Sequence, residues 1–144
     1  MRPGCRGFSK DQRIFIPASG LYTYPDYLIL CGPPQFGNKH KNTVLNPVLI
    51  IEVLSRRTAN YDRGVKFGFC RSIPTLREYA LIDSRSVYAE HWQLTDEWRS
   101  KEGVLYFTTI QALLSLADVY DGTDLQTNMD LVSEDAEPYG LLPA

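Results

Sequence analysis

The stretch Asn46-Pro47-Val48-Leu49-Ile50-Ile51-Glu52-Val53-Leu54-Ser55 constrains the fold more than any other. From Pro47 to Leu54 it is β-branched, nearly continuous and opened by proline. That pattern suits a central strand buried on both faces, because a strand with one face in water alternates instead. The run also carries an acid, and glutamate is almost never fully buried without a partner. Ile51 and Val53 point to the face opposite Glu52, so the carboxylate shares its side of the sheet with Ile50 and Leu54.

Other segments supply the rest of a sheet. Arg13–Ile16, closed by Pro17, and Tyr27–Cys31, stopped by Gly32-Pro33-Pro34, are short apolar runs with strand character. Residues 77–83, 86–94 and 104–108 follow as further strands at hairpin-like spacing. In the second of these, Val87, Ala89 and His91 share one side and Tyr88, Glu90 and Trp92 the other. Residues 33–46 read as a polar loop. Residues 62–72 read as a helix with Val65, Phe69 and Ile73 on one face, capped by Asn60 or Asp62 and ended by Pro74. Residues 116–120 suggest a second, short helix. The order predicts an α/β (α+β) domain: a mixed sheet of about five or six strands with a helix after the central strand.

The sequence has 144 residues, enough for one domain with a real core. No stretch approaches the roughly 18 apolar residues of a membrane span, and Met1-Arg2-Pro3-Gly4-Cys5 lacks an apolar signal core. Three widely spaced cysteines, Cys5, Cys31 and Cys70, are expected as free thiols in a reducing cytoplasm rather than as a disulfide frame or zinc site. Residues 1–120 hold all 15 basic and 11 acidic residues, a net +4, whereas residues 121–144 hold six acids and no base. The expectation is a mildly basic folded unit over 1–120 and a disordered acidic tail over 121–144. Mild basicity permits contact with nucleic acid.

Asp26 stands at the mouth of the Tyr27–Cys31 strand, directly after Pro25. Either it caps a turn in water or it is one arm of a site that holds something positive. If its strand neighbours that of Glu52, the two carboxylates converge, and a divalent cation relieves their repulsion. Magnesium suits such hard oxygen ligands and needs only one or two carboxylates. It lowers the pKa of a bound water and stabilises charge on a phosphoryl oxygen. Lys66, on the following helix, supplies a positive charge near that water. The bland alternatives are a turn-capping Asp26, a Glu52 paired with an arginine such as Arg77, and a solvated Lys66. Arg56, Arg57 and Arg63 are candidates for phosphate-backbone contact or simply solvated surface. No glycine-rich phosphate loop is present, so no nucleotide cofactor is expected. His40 and His91 look isolated, with surface and strand roles.

In their order, Tyr24-Pro25-Asp26 before an apolar strand, "NPVLIIEVLS", "YDRGVKF" and "IPTLREYALID" resemble the Uma family of restriction-endonuclease-like proteins, within the PD-(D/E)XK nuclease superfamily. The resemblance runs from about residue 15 to 120. It implies a restriction-endonuclease-like fold and an Mg²⁺- or Mn²⁺-dependent endonuclease acting on DNA phosphodiesters. Asp26 matches the first acid and Glu52 the second, both as metal ligands. The superfamily lysine normally stands two residues after the second acid, where this chain has Leu54; Lys66 matches the lysine displaced onto the helix. The resemblance also implies a helix ahead of the Asp26 strand, and this chain offers none, so the nuclease core over 1–120 is expected to be incomplete at its start. The alternative function is a catalytically degenerate relative that binds nucleic acid or protein. A sheet short of a covering helix would expose an apolar face or an open edge and favour a homodimer.

Overall fold

The computed structural model describes residues 1–37, 40–56, 61–102 and 105–123. The strands are β1 (Cys5–Ser9), β2 (Arg13–Ile16), β3 (Leu21–Thr23), β4 (Tyr27–Cys31), β5 (Phe36–Gly37), β6 (His40–Val44), β7 (Leu49–Leu54), β8 (Glu78–Asp83), β9 (Ala89–Leu94), β10 (Trp98–Glu102), β11 (Tyr106–Phe107) and β12 (Ala112–Leu113). Between β7 and β8 run a π-helical segment, Tyr61–Lys66, and the single-turn helix α1, Phe67–Cys70; α2 covers Leu116–Val119.

The apolar run around Glu52 becomes the inner strand β7 of a six-stranded mixed sheet ordered β1-β4-β7-β8-β9-β10. β7 and β8 are parallel and every other neighbouring pair is antiparallel. A parallel pair needs a crossover, which the π segment and α1 provide. The sheet packs on both faces. On one, Ile29, Leu49, Ile51, Ala80, Ile82 and Ala89 meet Leu105, Phe107, Ile110, Leu116 and Tyr120 of the C-terminal segment. On the other, Leu28, Leu30, Ile50, Leu54, Tyr79 and Leu81 meet Phe67, Cys70, Ile73 and the inner side chains Ile14, Ile16 and Val44 of a second sheet, ordered β3-β2-β6-β5. The mixed restriction-endonuclease-like architecture expected from the sequence is therefore the one observed. The expected bare apolar face is not, because each face has its own cover.

Four differences have clear physical causes. Residues 33–46, read as loop from their polar composition, contain β5 and β6. Here pairing to β2 overrides propensity, and buried Asn46 fastens the approach by accepting from Gln35 N at 2.9 Å and donating to Pro33 O at 3.1 Å. Residues 5–9 and 98–102 form the edge strands β1 and β10, where charged and small residues hide the alternation. The helix expected over 62–72 is π-helical in its first part, and the i→i+5 turn rotates its faces. Lys66, Phe67, Cys70 and Ile73 are buried, while Val65, expected inside, is 53% exposed. Finally, Cys5 and Cys31 are not separate thiols. They face one another across β1 and β4 with Cα atoms 4.0 Å apart and form a disulfide, and Cys70 is a buried thiol. Residues 26 apart in sequence become cross-strand partners only through the sheet, which cysteine spacing cannot reveal.

Trp92 and Trp98 pack the β9–β10 hairpin against Phe67, with ring centroids 5.1 and 5.5 Å away. No helix among the described residues is long and apolar enough to cross a membrane. Residues 124–144, nearly all of the expected acidic tail, lie outside the described residues.

Candidate functional site

The register of β4 on β7 creates the site. Tyr27 stands opposite Ile51, so Asp26 comes opposite Glu52 and Pro25 opposite Val53 when the pairing is continued one residue at a time. Proline has no N–H to give a ladder, and the regular pairing ends there. Side chains take over from it. Glu52 Oε1 accepts the backbone N–H of Asp26 at 2.9 Å, and Asp26 Oδ2 accepts the backbone N–H of Val53 at 2.7 Å. Each carboxylate is thus anchored to the other's strand, and the two acids expected to converge are brought together.

Glu52 is 1% exposed and Lys66 6% exposed. The Lys66 ammonium pairs directly with Glu52 Oε2. Removing two charges from water costs several kcal/mol per ion, which only close pairing and further hydrogen bonds offset. Glu52 has both. Arg77 is not its partner, since the Arg77 guanidinium donates to the Pro74 and Leu76 carbonyls. Lys66 is likewise no solvated surface lysine. Asp26 remains exposed, but it spans two strands instead of capping its own turn. The π turn is what aims Lys66 inward.

The arginines fare differently. Arg56 follows β7 and is exposed. Arg57 lies outside the described residues. Arg63 is tied to β9: its Nε lies 3.5 Å from Glu90 Oε2 and its guanidinium sits over the Tyr88 ring. Glu90 also accepts from Tyr88 Oη and Trp92 Nε1, both at 2.9 Å. Glu90 belongs to the same sheet face as Glu52, separated by Leu81, which is in register with both. Asp83 ends β8 on this face. Burial pushes its carboxyl up, yet the hydrogen bonds and charge of Arg85 outweigh burial and hold it below the ordinary aspartate value.

Sequence reasoning missed a second buried pair. His91, expected to be an isolated strand residue, is 3% exposed and paired: its Nε2 lies 2.6 Å from Oε2 of fully buried Glu78, whose Oε1 accepts Thr109 N at 2.8 Å. Burial raises the Glu78 pKa, but the bonds from His91 and Thr109 win and leave it lowered. The available signal was the alternation that put His91 with Val87 and Ala89, on the apolar side of β9.

Among the described residues no group of three or more His, Cys, Asp or Glu side chains forms a ready metal cage. The two facing carboxylates are hard oxygen donors of the kind a dication takes, Asp26 open to solvent and Glu52 buried and paired with Lys66.

Comparison with known proteins agrees with this architecture. The model of the Uma2 family, described as "Putative restriction endonuclease", matches residues 1–125. An uncharacterized protein of Synechocystis sp., sll1609, is 44% identical over 86 residues, covering 60% of this chain and 49% of the relative. A second from the same organism, slr1290, is 34% identical over 93 residues, covering 65% and 48%. This chain therefore spans about half the length of the curated relatives it matches. The crystal structure of "a putative nuclease belonging to DUF820" from Anabaena variabilis superposes with a TM-score of 0.62 at 17% identity, covering 81% of this chain and 68% of that one; it shares the fold. With the family model spanning all of the described residues, the chain belongs to the Uma2 family of restriction-endonuclease-like proteins.

Proposed function

We propose that this protein is a metal-dependent endonuclease that hydrolyses DNA phosphodiester bonds at Asp26, Glu52 and Lys66. The observation that carries the reading is the reciprocal anchoring of two carboxylates beside a buried lysine. The endonuclease description of the Uma2 family and the nuclease name of the Anabaena protein support the same chemistry. Asp26 and Glu52 would hold Mg²⁺ or Mn²⁺, which supplies an acidified water and a Lewis acid for the phosphoryl oxygen. The protein's own part is positioning. The backbone bonds fix both carboxylates before substrate arrives, and Lys66 places a positive charge where negative charge develops. Exposed Arg56 offers a phosphate contact beside the site.

Plasmid nicking in Mg²⁺, Mn²⁺ or chelator tests this with wild type, Asp26→Asn, Glu52→Gln and Lys66→Met. Wild type nicks only with metal, and each substitution lowers the rate at least about 100-fold, as loss of an electrostatic catalytic group does. Equal nicking by wild type and all three variants, each folded at the assay temperature, ends the assignment.

A second reading follows from the Lys66–Glu52 contact itself, since an ammonium already neutralises the buried carboxylate. In that reading the protein is a non-catalytic relative that binds nucleic acid or protein. Metal-independent DNA binding in a gel shift, with no nicking under any condition, favours it.

A further inference from the structure

His91, the partner of Glu78, borders a cavity that the proposed nuclease site does not use. β9 alternates, so Glu90 faces the Glu52 side of the sheet and His91 the reverse side, where it pairs with Ala80 of the other core. On that reverse face, between β9 and β10, lies a cavity of about 400 Å³ lined by His91, Gln93, Thr95, Arg99, Ser100 and Lys101. Such a volume is that of a small-molecule site. We propose that this cavity binds a phosphate group, carried by a nucleotide or by a nucleic-acid strand, separately from Asp26, Glu52 and Lys66.

The register supplies the first argument. His91 stands directly opposite Lys101, and Gln93 directly opposite Arg99. Arg99 and Lys101, two residues apart on β10, put two cationic side chains on the same face, where they repel one another, and no carboxylate is among the described lining residues. An oxyanion between these basic groups reverses the sign of that interaction. The second argument is preorganisation. Glu78, itself held by Thr109 N, pairs with His91 Nε2 and fixes the ring as a rigid wall of the cavity. Gln93 is fixed too, donating from Nε2 to Thr108 Oγ1 at 2.6 Å. Arg99 and Lys101 provide a planar fork and a mobile point charge, the two complementary ways of holding phosphate. Arg99 does meet Glu97 at 3.4 Å and Asp96 at 4.0 Å, but those pairs are 64–83% exposed and compete weakly with a bound anion.

The test is amide NMR titration of the full chain in EDTA with inorganic phosphate, thymidine 5′-monophosphate and a 12-nucleotide single strand. The expected result is saturable shifts across residues 91–101. Arg99→Gln/Lys101→Gln weakens binding at least about tenfold, as loss of a charge-assisted hydrogen bond does, and Asp26→Asn leaves it unchanged. Tightest binding by the mononucleotide identifies a nucleotide as the source, and tightest binding by the oligonucleotide a strand. Lys101→Gln alone, with a thermal melt matching wild type, guards against misfolding of the double variant. The proposal is overturned if no probe shifts residues 91–101 saturably. Unchanged affinity in both folded variants, abolition of binding by Asp26→Asn, or an equal response to sodium chloride of the same ionic strength overturns it as well. Because no metal is present, failure here is distinct from failure of the nuclease reading.

Discussion

Replacing Lys66 by methionine isolates the energetics of the site. Methionine keeps the length and apolar stem of lysine, so Glu52, 1% exposed, keeps the Asp26 N–H but loses the ammonium. Breaking a buried pair from one side costs about 3–5 kcal/mol, because the surviving charge stays desolvated. Adding Glu52→Gln to Lys66→Met removes that charge while keeping an acceptor for Asp26 N–H. The double variant then recovers most of the loss, since a buried ion pair exchanged for neutral groups of similar volume is often close to neutral. The expected coupling between the two sites is about 2–3 kcal/mol, within the range for residues in direct contact. Urea unfolding of wild type, both single variants and the double variant reads the cycle, and an unchanged m-value shows that the variants unfold the same structure. If Lys66→Met costs under about 1 kcal/mol, within the range of exposed pairs, then the ammonium and carboxylate are solvated in solution. The claim that burial forces their pairing then fails.

Three further outcomes follow from the same contacts. Glu78 has a folded pKa below its ordinary 4.5, so its contribution is fully present above pH 4.5 and is lost as pH falls through the lower folded value; Glu78→Gln should flatten the acid limb of stability measured by urea titration at stepped pH. The Cys5–Cys31 bond closes a separation of 26 residues; a thiol reductant, or Cys5→Ser with Cys31→Ser, should lower stability by about 3.5 kcal/mol on the chain-entropy account, and identical melts with and without reductant refute the pairing. Phe67→Ala should cost about 3–5 kcal/mol and Val65→Ala no more than about 0.5. The reverse order would restore the regular α-helical phase in place of the π turn.

The sequence made the centre of the fold legible and left its margins obscure. β7 and β4 announced themselves because strands buried on two faces must be apolar throughout, and Glu52 stood out against that background. The convergence of Asp26 with Glu52 also rested on an inference from residues, but it needed β4 and β7 to be neighbours, a tertiary fact. β6 stayed hidden because its buried residues, Thr43 and Val44, sit in a polar stretch whose strand character comes from pairing with β2. The inward turn of Lys66 was hidden by the π segment, since a 3.6-residue period places Val65 and Phe69 inside. Glu78 and His91 are 13 residues apart and on different strands. Nothing local joins them until β8 and β9 form a hairpin.

The two buried acid–base pairs allow a last distinction. Glu52 and Glu78 lie on opposite faces of the sheet, and each spends one oxygen on a distant backbone N–H and the other on a basic side chain. In both cases the carboxylate fastens a neighbouring segment: Glu52 the end of β4, Glu78 the C-terminal cover at Thr109. By that measure alone both would be structural pins. What separates them is the company they keep. Glu52 has a second carboxylate, exposed, across the strand boundary, and that carboxylate is itself anchored on β7. Glu78 has no such neighbour among its hydrogen-bond partners and instead orients a histidine. An isolated buried carboxylate with a basic ring is a means of aiming that ring. A buried carboxylate linked by backbone to a solvent-facing one sets a second oxygen donor at the surface, and the proposed metal site rests on that feature. The same structural device thus sits in different surroundings on the two faces, and the difference resides in Asp26.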